Sequence, residues 1–222
     1  MQERVSSPSP DGIEPAGAQP ATSREGGLRT CFVIGPDAEE GAASAKHLDD
    51  GLHCLIEPAC KRSGYALRTF DQGLGRSLWF VEGASGGRIG ERIGRFPRAR
   101  QADLWSGVGL ACAYAGGVGR DEVAALRETA GEYAAPLAQG AAFAAKSRVR
   151  ACNVAPHTEL ACQVIWGLSA AATSEVTDEV RVELPPDGEA AEVADGSGTT
   201  VPAFEIWRQR IQRRFASGGT TV

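Results

Sequence analysis

Apolar positions along most of this chain recur with the spacing of helices. Ile89, Ile93 and Phe96 form one stripe, and Val176, Val180 and Leu184 form another. From Gln72 onward the period predicts helices over about 72–82, 86–95, 99–116, 121–131, 134–150, 158–168, 170–183 and 203–216. Ser85 and Ser169 stand where a hydroxyl would satisfy the free amides of a first turn, and Gly116-Gly117 ends a helix. Residues 185–201 (PPDGEAAEVADGSGTTV) hold four acids and no base, with proline and glycine throughout. They read as a flexible acidic surface loop, and FEIWRQRIQRRF beyond them reads as a closing amphipathic helix.

The first third of the chain has a different texture. Residues 1–28 are rich in Pro, Ser, Gly and Ala with little to bury, and read as a disordered tail, and 217–222 form a short tail at the other end. Residues 29–70 read as one βαβ unit: RTCFVI is a strand stopped by Gly35-Pro36, and a helix follows from about Gly41 to Arg62. Leu48, Leu52, Leu55, Ile56 and Ala59 lie on its apolar stripe. Pro58 kinks or restarts that helix, Gly64 ends it, and YALRTF is the second strand.

Within 71–216 a weak repeat emerges. Leu104-Trp105-Ser106-Gly107 recurs as Leu137-Ala138-Gln139-Gly140, 33 residues on, and LWFVEGA from Leu78 matches LACAYAG from Leu110, 32 residues on. Helix pairs at that period are the signature of tetratricopeptide-type arrays, whose units stack because none can bury its face alone. The expected fold is therefore mainly α: an irregular helical-hairpin, tetratricopeptide-like array preceded by a small βαβ fragment. Residues 72–216 should be helical throughout with consecutive helices antiparallel, and a β-sheet anywhere in that span would end the repeat reading. Gly107, Gly109, Ala111, Ala113 and Ala115 would let neighbouring axes approach closely, and Trp79, Trp105, Trp166 and Trp207 read as core anchors.

Composition narrows the function classes. Hydrophobic content of 42% suits a soluble globule, no apolar run reaches membrane-spanning length, and the start lacks a signal-peptide layout, so a cytoplasmic protein is expected. Six scattered cysteines, without CxxC or zinc spacing, read as free thiols, mostly buried. A net charge of −5 argues against nucleic acid as a partner, and the clusters Arg88, Arg92, Arg95, Arg98, Arg100 and Arg208, Arg210, Arg213, Arg214 read as solvated helix faces.

Candidate chemistry is sparse. GLGRS (73–77) and GGRIGERIG (86–94) lack the third glycine or the lysine of a phosphate loop, so no nucleotide site is expected from them. His47, Asp50 and His53 share a helix face without the logic of an open metal site, and neither metal nor cofactor is expected. His157 and Glu159 open a helix after Pro156 and could form an acid–base pair, though Thr158 also reads as its cap and Glu159 as a dipole partner. No Ser/His/Asp or Cys/His signature is present, so no catalytic residue is assigned. In an array, the first helix of each hairpin lines an inner binding surface. Those helices begin near Arg76, Leu104 and Gly140, and the third carries Lys146 and Arg150, a cationic stripe for an acidic partner.

Two resemblances add to this reading. DQGLGRSLWFVEGA (71–84), RQADLWSGVGLACAYAGG (100–117), AAFAAKSRVRA (141–151), PHTELAC (156–162) and FEIWRQRI (204–211) together resemble an uncharacterised family of accessory proteins encoded beside enediyne polyketide synthases. The resemblance implies a part in making or maturing the enediyne core, with a polyketide synthase or its phosphopantetheine-bearing carrier domain as partner. It carries no assigned catalytic residues. The stretch CFVIGPDAEEGAASAKHLDDGLHCLIEPACKRSGYALRTF is similar to the opening of bacterial TIR-like domains, without the segment that holds their catalytic glutamate. Three functions are thus expected in order: an accessory protein binding a protein or polyketide intermediate; a TIR-like signalling or defence protein binding or cleaving a nicotinamide nucleotide; and an enzyme acting on the polyene precursor.

Overall fold

Helix α1 (Tyr65–Val81) begins where the sequence suggests a strand. Tyr65, Leu67 and Thr69 alternate as a strand would, but Arg68, Asp71, Gln72 and Gly75 also fall on one helical face, and that face has partners. Arg68 Nε and Gln72 Nε2 donate to Asp103 at 2.8 and 3.3 Å, while Asp71 accepts from Arg100 Nε at 3.0 Å. Contacts with a distant helix decide a short segment whose local pattern fits either state. The computed structural model describes residues 64–186, 190–192 and 200–218. The N-terminal tail, the first strand and helix of the expected βαβ unit, Pro58, the His47–Asp50–His53 trio and Cys31, Cys54 and Cys60 all lie outside those residues, as does most of the C-terminal tail.

The remaining helices follow the periodicity closely. They are α2 (Gly86–Gly94), α3 (Arg98–Ala115), α4 (Arg120–Ala130), α5 (Ala134–Arg150), α6 (Pro156–Trp166), α7 (Ala170–Glu179) and α8 (Ala203–Gly218), with a 3₁₀ turn at Gly131–Tyr133. Both glycine-rich segments weighed as phosphate loops are helical, GLGRS inside α1 and GGRIGERIG as α2. Of the four termini that the sequence marks, two behave as expected. Ser169 Oγ accepts from the Ala172 amide at 3.1 Å, and Gly116 at positive φ ends α3. The Ser85 side chain makes no such bond. Thr158 is not a cap either: Ala155 holds that place with Pro156 first in α6, and Thr158 Oγ1 donates across to the Ala113 carbonyl at 2.8 Å.

Glycine sets the packing of α1, α3 and α5. A Cβ on Gly75 would lie 2.0 Å from the Leu104 carbonyl oxygen, and one on Gly107 would lie 2.2 Å from that of Gln72. On the other side of α3, a Cβ on Gly109 would meet the Leu137 oxygen at 1.9 Å, and one on Gly140 the Ser106 oxygen at 1.9 Å. Backbone therefore lies directly on backbone across three helices, closer than any side chain permits. Around them one core gathers Leu78, Trp79, Ile89, Ile93, Leu104, Trp105, Val108, Val123, Leu126, Leu137 and Ile165. Trp79 and Trp105 are buried in it and Trp166 packs against it as expected, whereas Trp207 packs on Phe143 outside it; the indole N–H groups of Trp79, Trp166 and Trp207 donate to the carbonyls of Gly116, Ala138 and Thr177.

The expectation of helix throughout 72–216 fails at one place. Inside the acidic stretch, β1 (Ala190–Glu192) pairs antiparallel with β2 (Thr200–Pro202), with Ala191 opposite Val201. Val201 is buried, and β2 runs directly into α8, so burial of one side chain at the loop's exit favours local pairing. No helix among the described residues is long and apolar enough to cross a membrane.

Candidate functional site

The first candidate is a buried ionic seam where α8 crosses the other helices. Glu205, Arg208, Ile211 and Phe215 lie three to four positions apart on one face of α8, and the first three are buried. Arg208 Nη1 donates to Asp103 of α3 at 2.8 Å and to Glu205 at 2.7 Å, while its Nε reaches Gln139 of α5 at 3.1 Å. Ser106 donates to the same Gln139 oxygen at 2.8 Å, and Arg68 of α1 pairs with both Asp103 and Glu205 at 2.8 Å. Two guanidinium groups face two carboxylates, so the seam is neutral and its charges are committed to one another. Burial, reinforced by Glu205, raises the Tyr65 hydroxyl above its ordinary pKa beside it. Such a seam fixes where α8 sits, and within it Arg208 Nη2 and the Tyr65 hydroxyl are buried without a hydrogen-bond partner.

The same helix is held elsewhere by rings and carbonyls. Phe204 and Trp207 pack on Phe143 of α5 with centroids 5.5 and 4.7 Å away, and Phe215 meets Trp166 edge-on at 5.0 Å. Arg210 donates to the Val180 carbonyl at 3.2 Å, just past α7.

The second candidate is open. Over the C-terminal halves of α1, α3 and α5 lies a groove of about 320 Å³, lined by Arg76, Phe80, Leu110, Tyr114, Ala144 and Ser147, with small alanines in its floor. Phe80 is 60% exposed and Tyr114 44%, so two aromatic side chains of its lining face solvent. The outer edge is cationic: the Arg148 guanidinium lies 4.0 Å from the centre of the Tyr114 ring, and Arg76 is exposed on α1. A wider depression of about 560 Å³ lies between α4 and α6, but Arg120 there donates to Gln163, and Asp121 and Glu128 balance its arginines.

The structure distributes the residues singled out from sequence. Arg76 lines the groove. Lys146 does not join it: its ammonium pairs with Asp178 of α7 and its side chain is only 17% exposed, while Arg150 is exposed at the end of α5. The expected cationic stripe is thus split, one member tied to a neighbouring helix. His157 and Glu159 serve different helix ends. The Tyr114 carbonyl accepts from His157 Nε2 at 2.9 Å and from Arg148 at 2.7 Å, which closes α3, and the His157 ring lies against Gly116. Glu159 accepts from the Ala170 amide at 2.8 Å at the start of α7 and from Gln163 at 3.0 Å.

Several residues escaped sequence reasoning. Arg100 and Arg208 were placed on solvated faces, yet both are buried and paired. Their signal was available: Glu205 and Arg208 share a helical stripe with Ile211 and Phe215, and Asp71 and Asp103 each precede a contact glycine by four residues. Phe80 and Tyr114 carry no sequence signal of exposure, because an aromatic ring at helical spacing reads as core. Of the cysteines, Cys112 and Cys162 are free and buried and Cys152 is free and exposed. Burial pushes the Cys112 thiol up to about 12 and the Cys162 thiol up to about 11, the latter against an opposing hydrogen bond with Thr173.

Among the described residues no cluster of His, Cys, Asp or Glu could hold a metal ion. What the described chain presents is a mainly helical domain with a locked C-terminal helix beside an open, aromatic and cationic groove. The chain belongs to the family described as protein of unknown function DUF1702, whose model matches residues 55–215. No curated protein and no solved structure matches it.

Proposed function

We propose that this protein is a cytoplasmic accessory protein of enediyne polyketide biosynthesis that works by binding, with the groove over α1, α3 and α5 as its binding surface. The observation that carries the binding mode is the groove itself, where Phe80 and Tyr114 stay exposed beside Arg76. The pathway reading is supported by the five motifs between 71 and 211 that resemble the enediyne-associated family. The hairpins α1–α2, α3–α4 and α5–α6 form an irregular array, supported by the backbone contacts at Gly75, Gly107 and Gly140, 32 and 33 residues apart. The short β-pair after α7 ends the repeat over the full 72–216 span, which leaves at most the three hairpins before it. A polyketide synthase, or its carrier domain, is the proposed protein partner.

The test is genetic. Deleting the gene from an enediyne producer should lower output, and wild-type protein should restore it. A variant with the groove filled, Ala115→Trp, should not restore it although it accumulates and melts normally. Full restoration by that variant would remove the groove from the function, and unchanged output after deletion would remove the pathway.

A further inference from the structure

We infer that the groove over α1, α3 and α5 takes a single aliphatic chain ending in a carboxylate, with the carboxylate at Arg76. This rests on the groove being the binding surface proposed above and specifies its ligand. Three observations select the class. The walls are mostly hydrocarbon, from Phe80, Leu110, Tyr114 and the methyl groups of Ala111 and Ala144, and the Ser147 hydroxyl on its wall donates to the Phe143 carbonyl. The charge has one sign, since no acid lines the groove and Arg76 stands exposed one helical turn before Phe80. A guanidinium matches a carboxylate in a two-bond fork, so an anionic head belongs there.

Size suits a slim ligand. The groove holds about 320 Å³, near the lower limit of small-molecule sites, which matches one extended chain. Neither side of the groove is closed by α8, whose aromatic residues pack on Phe143, one position before Ala144.

The experiment titrates the full chain with dodecanoate and, separately, dodecan-1-ol below their aggregation limits, by calorimetry and by amide shifts in NMR spectra. Dodecanoate should bind one to one, about tenfold tighter than the alcohol, as a charge-assisted bond at a partly open site gives. Shifts should centre on Phe80, Tyr114 and Ala144. Arg76→Gln should bring the two ligands to the same affinity by weakening dodecanoate alone. Ala115→Trp should weaken both at least tenfold; should it fail to fold, Ser147→Trp, at another exposed lining position, takes its place. Equal affinity for acid and alcohol in the wild type overturns the inference, as does a preference surviving Arg76→Gln, or shifts centred on α4 and α6. So does saturable binding of an acidic amphipathic helical peptide in the groove with none of dodecanoate. These outcomes are independent of the genetic test: unchanged enediyne output in the deletion strain would remove the pathway and leave the titration standing.

Discussion

A single side chain, Arg208, ties together helices that are far apart in sequence, and its cost of removal should show it. Truncation to alanine leaves Asp103 and Glu205 buried with the half-buried Arg68 as their remaining countercharge. Breaking a buried pair from one side typically costs about 3–5 kcal/mol, so Arg208→Ala should lower the urea midpoint by that equivalent, or prevent folding. A neutral outcome would mean water reaches the seam. The buried thiols make a second residue-scale prediction. Cys112 has an ordinary value of 9.0 and is pushed up to about 12, so between those limits the unfolded chain releases the proton more readily than the folded one. Stability should therefore be flat below about pH 9 and fall as pH rises from there. Scanning melts at pH 7, 8 and 10 check the direction, and a thiol reagent at pH 8 should modify Cys152 quickly and the two buried thiols only on unfolding.

At the scale of the helix, two glycines of the same chain should behave oppositely. Gly73 lies in α1 with nothing within 4 Å of a would-be Cβ, so Gly73→Ala should stabilise by up to about 1 kcal/mol through helix propensity. Gly107→Ala drives its methyl into the Gln72 carbonyl and should destabilise by about 3 kcal/mol or more, because backbone cannot rotate aside as a side chain can. Paired chemical melts decide it, and equal effects would mean α1 and α3 can slide apart. Sequence made the helices legible because their stripes are local: α3, α5 and α8 begin within a residue of where periodicity puts them. It misplaced residues 65–70, since Arg68 and Gln72 take their helical partners from Asp103, more than thirty positions away. The groove was half legible. Arg76 follows from the repeat, but Lys146 is diverted by Asp178, a contact that depends on how α7 leans on α5 and not on any local pattern.

For the molecule as a whole, the last helix acts as a keystone. A chain ending at residue 202 keeps every helix from α1 to α7 but exposes Phe143 and strands Asp103 and Gln139 without Arg208. It should lose its single cooperative transition and bind a hydrophobic dye, checked by calorimetry and fluorescence; a sharp melt would show the seven-helix body to be self-sufficient. The same ion pair has a meaning in time. Asp103 and Arg208 stand 105 residues apart. On a ribosome adding about 5–20 residues per second, the carboxylate waits on the order of 5–20 seconds before its partner is even made. During synthesis the Asp103 carboxylate is therefore balanced by Arg68 alone, and the seam closes fully when α8 is made rather than when the first helices collapse.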